Sequence, residues 1–320
     1  MAAKEKPDRR PVALLLPLTG ARAGLGHSME RAARLAENDA ALMIALDTGG
    51  TASGAAAAAQ AAVKRGAAMI LGPLTAFETA SASAVARGIP VIAFTNDPAA
   101  AANGAYVFGL TAQQTTSAVL RYARSRGVRS VVVLGDGGAW SAASTETATR
   151  MQGELGLTVR GITITPGAPT PTMGDAPDAV LMPGSGDALL AAARALKDTG
   201  VQVLGTIQAL DHRPAALEAL SGAWIAGPDP RTFGSFSADY EAKNGGGAGA
   251  LAALARDAAQ IARTLRLGKR LGREGLLATE SFECVTGAVR FRTDGSCSRE
   301  LAILVAGRDG YEAVATSRGA

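Results

Sequence analysis

Short apolar runs alternate with segments of helical periodicity along most of the chain. An apolar run that is buried on both faces is typical of a parallel strand, and the helical segment after it forms the crossover. Strands are predicted over residues 12–16, 43–47, 68–71, 90–94, 106–110, 130–134, 159–163, 179–182, 201–204 and 223–226. Helices are predicted over residues 26–41, 54–66, 77–88, 112–126, 141–155, 185–199, 213–221 and 248–268. The pattern predicts an α/β fold with parallel sheets that helices cover on both faces.

The alternation restarts after Gly127, where helix 112–126 ends in an arginine-rich turn. This restart predicts two similar α/β lobes joined near residues 120–130. After residue 268 the pattern changes to short strands over 288–292, 301–305 and 311–314, with turns at Asp294-Gly295 and Asp309-Gly310. We therefore expect an antiparallel tail on two doubly wound lobes.

The length of the chain allows two domains of ordinary size or one large domain. The 320 residues are 48% hydrophobic and 19% charged, which permits a sizeable core and excludes global disorder. The net charge of +4 is dispersed, and the densest basic segment, residues 263–273, contains no aromatic residue. We expect that segment to be a solvated helix end and not a nucleic-acid site.

No apolar stretch reaches the roughly 18 residues of a membrane span. The first ten residues are polar and charged, so no signal peptide is predicted in this chain, and a processed export protein would look the same. The sequence alone leaves the compartment open.

The two cysteines, Cys284 and Cys297, flank a predicted hairpin. That hairpin would bring them close, so both a disulfide and a pair of buried thiols are open alternatives. Without a Cys/His cluster they do not indicate a metal site.

The junction after the first strand, VALLLPLTG followed by ARAGLGHS, is where an open α/β sheet binds ligands. Its glycines, Gly20, Gly24 and Gly26, fit neither the dinucleotide fingerprint nor the phosphate loop. Asp47 stands about where a ribose-binding acid would follow such a fingerprint. The glycine order nevertheless disfavours nucleotide binding and a nucleotide-dependent enzyme.

Catalytic groups are sparse. His27 and His212 lack metal-ligand spacing, and no serine lies in a nucleophile elbow. Asp136, Asp211 and Glu78 could do acid–base work, but helix capping is the favoured role for acids near helix starts. We therefore predict binding without catalysis, with no cofactor and no metal.

The loops after the predicted strands carry hydroxyls and helix starts. Helix N-termini bind small carboxylates or polar heads, and an aromatic side chain can cover an apolar body. Phe77 and Trp140 are the aromatic candidates, with packing between the lobes as the alternative role. In the first loop, Thr19 and Arg22 are placed to touch a ligand.

Several segments resemble the type I periplasmic-binding-protein superfamily, in the branch of the leucine/isoleucine/valine-binding proteins. They are LLLPLTG, ILGPLTAFETASASAVARGIPVIAFTND and VTGAVRFRTDGSCSRELAILVAGRDGYEAV. The segment PVIAFTNDPAAAANGAYVFGL is most similar to proteobacterial penicillin-binding-protein activators and ABC transporter substrate-binding proteins. The resemblance covers about residues 11–315 as a distributed pattern.

The resemblance implies two doubly wound lobes joined by a three-crossover hinge that close on a ligand. One lobe would take residues 10–121 and 250–298, and the other 122–249 and 299–320. It also implies a periplasmic location, compatible with a signal or lipid anchor that this chain lacks. By position, Thr75, Ala76, Phe77, Thr95 and Asn96 would face the ligand, with Trp140 as an aromatic wall.

This sequence departs from the amino-acid binders at two positions. Ala76 stands where a serine commonly holds the ligand carboxylate. Gln208 lies near the place of the acid that holds the ligand amine, and Asp211 is the nearest acid. Because a buried ammonium without a carboxylate partner is costly, an ordinary α-amino acid is disfavoured. A more apolar or differently charged ligand is expected.

Two functional hypotheses follow. The first is a solute-binding protein that delivers a small ligand to the permease of an ABC importer. The second is an envelope regulator that binds a peptidoglycan synthase and needs no small ligand.

Overall fold

The computed structural model describes residues 8–164 and 175–319, which form two compact units. Unit 1 contains residues 8–110 and 231–298, and unit 2 contains residues 111–164, 175–230 and 299–319. The chain passes between the units after residues 110, 230 and 298. These three crossings and the parallel sheets described below agree with the predicted fold class.

Unit 1 contains an all-parallel sheet with the strand order β2-β1-β3-β4-β5. Its strands are β1 (Val12–Leu16), β2 (Met43–Asp47), β3 (Met69–Leu71), β4 (Val91–Ala93) and β5 (Tyr106–Val107). Its helices are α1 (Ala23–Ala36), α2 (Ala52–Lys64), α3 (Ala76–Val85), α9 (Pro230–Asn244), α10 (Ala250–Leu267) and α11 (Arg273–Ala278). A 3-10 helix, Pro98–Asn103, precedes β5, and β11 (Val289–Phe291) lies near the end of the unit.

Alanine-rich helices lie close to this sheet. Buried alanines of α2 and α3 pack against Ala13, Leu15 and Ile70 in one apolar cluster. A second cluster joins Ala32 of α1 to Phe236 and Tyr240 of α9 and to Ala252 of α10. Small side chains allow this close approach, and each buried methyl or ring removes apolar surface from water.

Unit 2 contains a mixed sheet with the order β12-β10-β9-β8-β6-β7, and β13 pairs with β12. Its strands are β6 (Ser130–Gly135), β7 (Thr158–Thr163), β8 (Ala179–Met182), β9 (Gln202–Gly205), β10 (Trp224–Gly227), β12 (Cys297–Gly307) and β13 (Gly310–Gly319). Strands β6 to β10 are parallel, whereas β12 is antiparallel to β10 and β13 is antiparallel to β12. Its helices are α4 (Ala112–Ser125), α5 (Ala139–Arg150), α6 (Gln152–Leu155), α7 (Asp187–Leu196) and α8 (Pro214–Ala219), and a 3-10 helix spans Ile207–Ala209.

The unit boundaries follow from packing. The predicted boundary at 121/122 falls inside α4, which packs along β13 and receives a hydrogen bond from Ser317 Oγ to the Ala118 carbonyl (2.7 Å). The predicted boundary at 249/250 leaves α9 in the second lobe. In the structure α9 shares its buried Phe236 and Tyr240 with α1 and α10, and it belongs to unit 1.

Several predicted elements differ from the observed ones. Helix α1 ends at Ala36, before the predicted end at 41, because the Asp39 carboxylate accepts from the Ala41 amide (2.8 Å) and forms a turn. Helices α9 and α11 were not predicted. In α9 only Phe236 and Tyr240 are buried, which gives a weak apolar period. The second hairpin turns at residues 308–309, and Gly310, with a φ of 128°, begins β13.

Both cysteines are thiols, so the disulfide alternative is wrong, and only Cys297 of the expected buried pair is buried. Cys297 is buried at the start of β12, and its Sγ donates to the Val107 carbonyl (3.2 Å). Cys284 is half-buried in the loop before β11.

Candidate functional site

In unit 1 the strand order places the loops after β1 and β3 side by side at the carboxyl edge of the sheet. The chain leaves β1 for β2 on one side and returns to β3 on the other, so the order reverses between β1 and β3. Such a reversal opens a crevice outside the carboxyl ends of the strands. Thr19 and Arg22 follow β1, and Thr75, Ala76 and Phe77 follow β3.

Asp47, the last residue of β2, organises the loop after β1. Its Oδ2 accepts from the Thr19 hydroxyl (2.6 Å), and its Oδ1 accepts from the amides of Leu18 (2.8 Å) and Gly49 (2.8 Å). Burial is the largest single influence and opposes ionisation. The hydrogen bonds together outweigh it and hold the pKa of Asp47 below its ordinary value. Thr19 therefore has its proton committed to Asp47 and keeps only lone pairs for a ligand.

Arg22 supplies a positive charge at the same edge. It is exposed at the N-terminus of α1, and its Nη1 lies 4.0 Å from where a Cβ on Gly50 would be. The guanidinium therefore lies against the loop that follows β2.

The start of α3 is locked by a buried carboxylate. Glu78, which is 1% exposed, accepts from the Thr75 amide (3.1 Å) and hydroxyl (2.8 Å), and its backbone amide donates to the Thr75 hydroxyl (3.3 Å). Its other oxygen accepts from the buried Thr48 hydroxyl at 2.6 Å. This capping box, which the Thr-x-x-Glu spacing could have signalled, ties the loops after β2 and β3 together.

The backbone amides of Ala76 and Phe77 lie in the first turn of α3, where amides have no acceptor inside the helix. The Phe77 side chain is 84% exposed, the most exposed of the large apolar side chains in the described chain. Amides that favour an anion thus lie beside an uncovered aromatic ring.

Thr95 and Asn96 follow β4 at the same edge. The Thr95 side chain is buried, and its hydroxyl accepts from the Asp97 amide (3.1 Å), whereas Asn96 is exposed. Thr95 therefore shapes its own loop, and Asn96 is the one of the two that faces solvent.

In unit 2 the order reverses between β6 and β8, and Trp140 lies in the first turn of α5, directly after β6. The half-buried indole donates from Nε1 to the Thr206 hydroxyl (3.1 Å), which in turn donates to the Pro183 carbonyl (2.5 Å). Thr206, which follows β9, was not among the sequence-predicted residues. No local sequence signal marks it, because its partners are distant along the chain.

Asp136 holds the loop that leads into α5. Its Oδ1 accepts from the Ser141 hydroxyl (2.6 Å) and the Gly138 amide (2.9 Å). These bonds, led by the one from Ser141, lower the pKa of Asp136. Glu78 therefore has the capping role that the sequence favoured over acid–base chemistry, whereas Asp136 fixes the loop before α5 and caps no helix amide.

The two remaining predicted residues follow β9. Gln208 is exposed in the 3-10 helix. Asp211 is held by Arg213, whose Nε (2.8 Å) and Nη2 (2.6 Å) both donate to its Oδ2, and this pair lowers the pKa of Asp211. Its loop is fixed by Tyr311 of β13, which accepts from the Asp211 amide (3.0 Å) and donates to the Asp211 carbonyl (2.9 Å).

The predicted residues thus form one group on each unit. Unit 1 brings its group together at one carboxyl edge: Thr19, Arg22, Thr75, Ala76, Phe77, Thr95 and Asn96. Unit 2 carries Trp140, Gln208 and Asp211. Among residues 8–164 and 175–319 no cluster of three or more His, Cys, Asp or Glu side chains is arranged to hold a metal. No described helix is long and apolar enough to span a membrane.

Two α/β units with polar, helix-capped carboxyl edges, joined by three crossings, define the class of two-lobed solute-binding proteins. The chain belongs to the periplasmic binding protein family, whose model matches residues 11–304. It is therefore a solute-binding protein of a periplasmic family, and that family is not one of enzymes. No curated protein is similar enough in sequence to be matched.

Solved structures share the fold. A branched-chain amino acid ABC transporter protein from Rhodospirillum rubrum is 22% identical, with a TM-score of 0.82 over 95% of this chain and 100% of that one. LivJ from Streptococcus pneumoniae, solved with isoleucine, is 17% identical, with a TM-score of 0.62 over 97% and 99%. A Rhodopseudomonas palustris solute-binding protein, solved with 3,4-dihydroxybenzoic acid, is 18% identical, with a TM-score of 0.65 over 97% of each chain. At these identities the likeness concerns the fold.

Proposed function

We propose that this protein captures, in the periplasm, a small carboxylate with an apolar or aromatic body and delivers it to the permease of an ABC importer. The observation that carries the proposal is the start of α3, where the first-turn backbone amides of Ala76 and Phe77 adjoin the exposed Phe77 ring. Arg22 adds a cation at the same edge. The structures solved with isoleucine and with 3,4-dihydroxybenzoic acid support a solute of this size.

The charges at the two edges disfavour an ammonium group on the solute. Asp211 already forms a forked ion pair with Arg213, and Asp47 and Glu78 already accept hydrogen bonds from the protein. A solute ammonium would have to displace one of these donors or remain without a carboxylate partner, and both are costly. An aromatic or aliphatic acid without an α-amine fits these edges better than an amino acid.

The apolar part of the solute has a clear source of affinity. Covering a fully exposed phenylalanine ring contributes about 1.5–3 kcal/mol. Phe77 is nearly fully exposed, so a body that covers its ring gains an energy close to that range. Within unit 2, the half-buried Trp140 ring at the start of α5 is the aromatic surface nearest the end of β6.

Thermal unfolding with benzoate, 3,4-dihydroxybenzoate and isoleucine tests the proposal. A solute at a hundred times its Kd stabilises by about 2.7 kcal/mol, so at least one of the two aromatic acids should raise Tm more than isoleucine does. Phe77→Ala should abolish most of that rise. Leu267→Ala, which removes another exposed apolar side chain (73% exposed) far along the chain on α10, is the matched control.

A mass spectrum of the solute that co-purifies with the protein gives an independent answer. A carboxylic acid without an amine agrees with the proposal, and a branched-chain amino acid contradicts it. If no probe raises Tm and a peptidoglycan synthase is recovered from envelope extracts in place of a permease, the regulator hypothesis replaces this one.

A further inference from the structure

The Thr206 hydroxyl lies at the meeting point of three loops of unit 2. Thr206 is completely buried directly after β9, Pro183 directly follows β8, and Trp140 begins the helix after β6. In the sheet these three strands are neighbours in the order β9-β8-β6. One oxygen atom therefore links the carboxyl ends of three adjacent strands.

The direction of each hydrogen bond is fixed by chemistry. The Pro183 carbonyl can only accept, so the Thr206 hydroxyl gives it its single proton (2.5 Å). The two lone pairs of the hydroxyl then accept from the Trp140 indole N–H (3.1 Å) and from the Gln208 backbone N–H (3.3 Å). All the hydrogen-bonding capacity of the hydroxyl is used, and β-branching restricts the rotation of the threonine side chain.

The loops after β6 and β8 pack closely against each other. A Cβ on Gly184 would lie 2.8 Å from Asp136 Oδ2, so the loops after β6 and β8 are in close contact. Asp136 also holds the first turn of α5 through Gly138 and Ser141. The backbone that carries Trp140 and the end of its ring are thus both held.

We propose that Thr206 is a positioning residue that fixes the Trp140 indole so that a solute meets its ring and not its N–H group. The indole N–H already donates to the Thr206 hydroxyl, so Trp140 selects for an apolar or planar part of the solute and supplies no hydrogen bond to it. This inference rests on the proposed function, because it places the apolar part of the solute against the Trp140 ring.

The test uses Thr206→Val and Thr206→Ser in a Trp224→Phe background, where Trp140 is the only tryptophan. Valine keeps the branched shape and removes the hydroxyl, and serine restores it. Thr149→Val on α5 is the matched control, because its hydroxyl bonds only the Thr145 carbonyl (2.9 Å) on the same helix. The readouts are Trp140 emission, its quenching by acrylamide, and Kd for benzoate, 3,4-dihydroxybenzoate and isoleucine.

Thr206→Val is expected to shift the emission, to increase quenching, and to raise Kd about three- to tenfold, the worth of a neutral hydrogen bond. Thr206→Ser is expected to restore both readouts. Emission and Kd equal to those of Thr149→Val overturn the inference. Altered emission with unchanged Kd also overturns it, and a loss of affinity in Phe77→Ala then shows that the proposed function stands.

If the parent protein binds none of the three probes, the proposed solute class fails, and emission alone decides the positioning role. A shift that serine reverses supports that role, and an unchanged spectrum refutes it. Far-ultraviolet circular dichroism confirms that each variant is folded before it is scored.

Discussion

Helix α1 approaches the loop after β1 so closely that only glycine fits at position 26. A Cβ on Gly26 would lie 2.0 Å from the Pro17 carbonyl oxygen and 2.7 Å from its carbon. Gly24, two residues earlier in the same helix, has no atom within 4 Å of its Cβ position. The pair Gly26→Ala and Gly24→Ala therefore adds the same methyl group to the same helix, with and without a clash.

The magnitude follows from the geometry. To bring the Cβ to an ordinary contact, α1 and the loop must separate by more than 1 Å, and overpacking of this kind costs about 1–3 kcal/mol or more. A gain of up to about 1 kcal/mol in helix propensity offsets part of that cost in Gly26→Ala, and in Gly24→Ala it has no clash to oppose it. We expect Gly26→Ala to be less stable than Gly24→Ala by about 3 kcal/mol.

Equilibrium unfolding in urea measures the difference. Because the loop that moves carries Thr19 and leads to Arg22, Gly26→Ala should also weaken solute binding, whereas Gly24→Ala should not. Stabilities of the two variants within about 0.5 kcal/mol of each other would refute the close packing of α1 on Pro17.

Substitutions of three carboxylates that accept several hydrogen bonds, the buried Glu78 and Asp257 and the exposed Asp47, give further predictions. Glu78→Ala should lower the free energy of unfolding by about 3 kcal/mol, since it leaves the capping box and the Thr48 hydroxyl without their acceptor. The control is Glu146→Gln at an exposed position, which should cost under about 0.5 kcal/mol. Similar urea midpoints for the two variants would contradict this prediction. Asp257→Asn should lower the free energy of unfolding by about 2–4 kcal/mol. The fully buried carboxylate accepts from two backbone amides and a hydroxyl of the loop before β11 through both of its oxygens, and an asparagine has only one oxygen that can accept. Near-wild-type stability would count against that contact. The pKa of Asp47 is lowered in the folded protein, so its stabilisation is present above the unfolded-state pKa near 3.9 and is lost as the pH falls through the folded-state pKa. Asp47→Asn should therefore flatten the fall in stability at acid pH. An unchanged fall would exclude Asp47 as a contributor.

Much of the secondary structure could be predicted from the sequence because periodicity is local. Strands β1 and β2 lie over the residues predicted for them, and the prediction for α4 differs by one residue. Helix α9 could not be predicted, because its two buried aromatic residues have meaning only against α1 and α10. The capping box of Thr75 and Glu78 was readable as a spacing, but the bond from Thr48 to the same carboxylate was not.

The sequence by itself determined the alternation of strand and helix, the restart that makes two units, and the polar loops after the strands. Only the tertiary structure decided which distant groups the polar side chains bind: Asp47 holds Thr19, and Thr206 holds Trp140. Helical and strand periods report which face of an element is buried, and they carry no information on which strand lies next to which. Strand order brings Asp47 beside the loop after β1, and Thr206 beside Trp140, and it is set by packing over the whole unit.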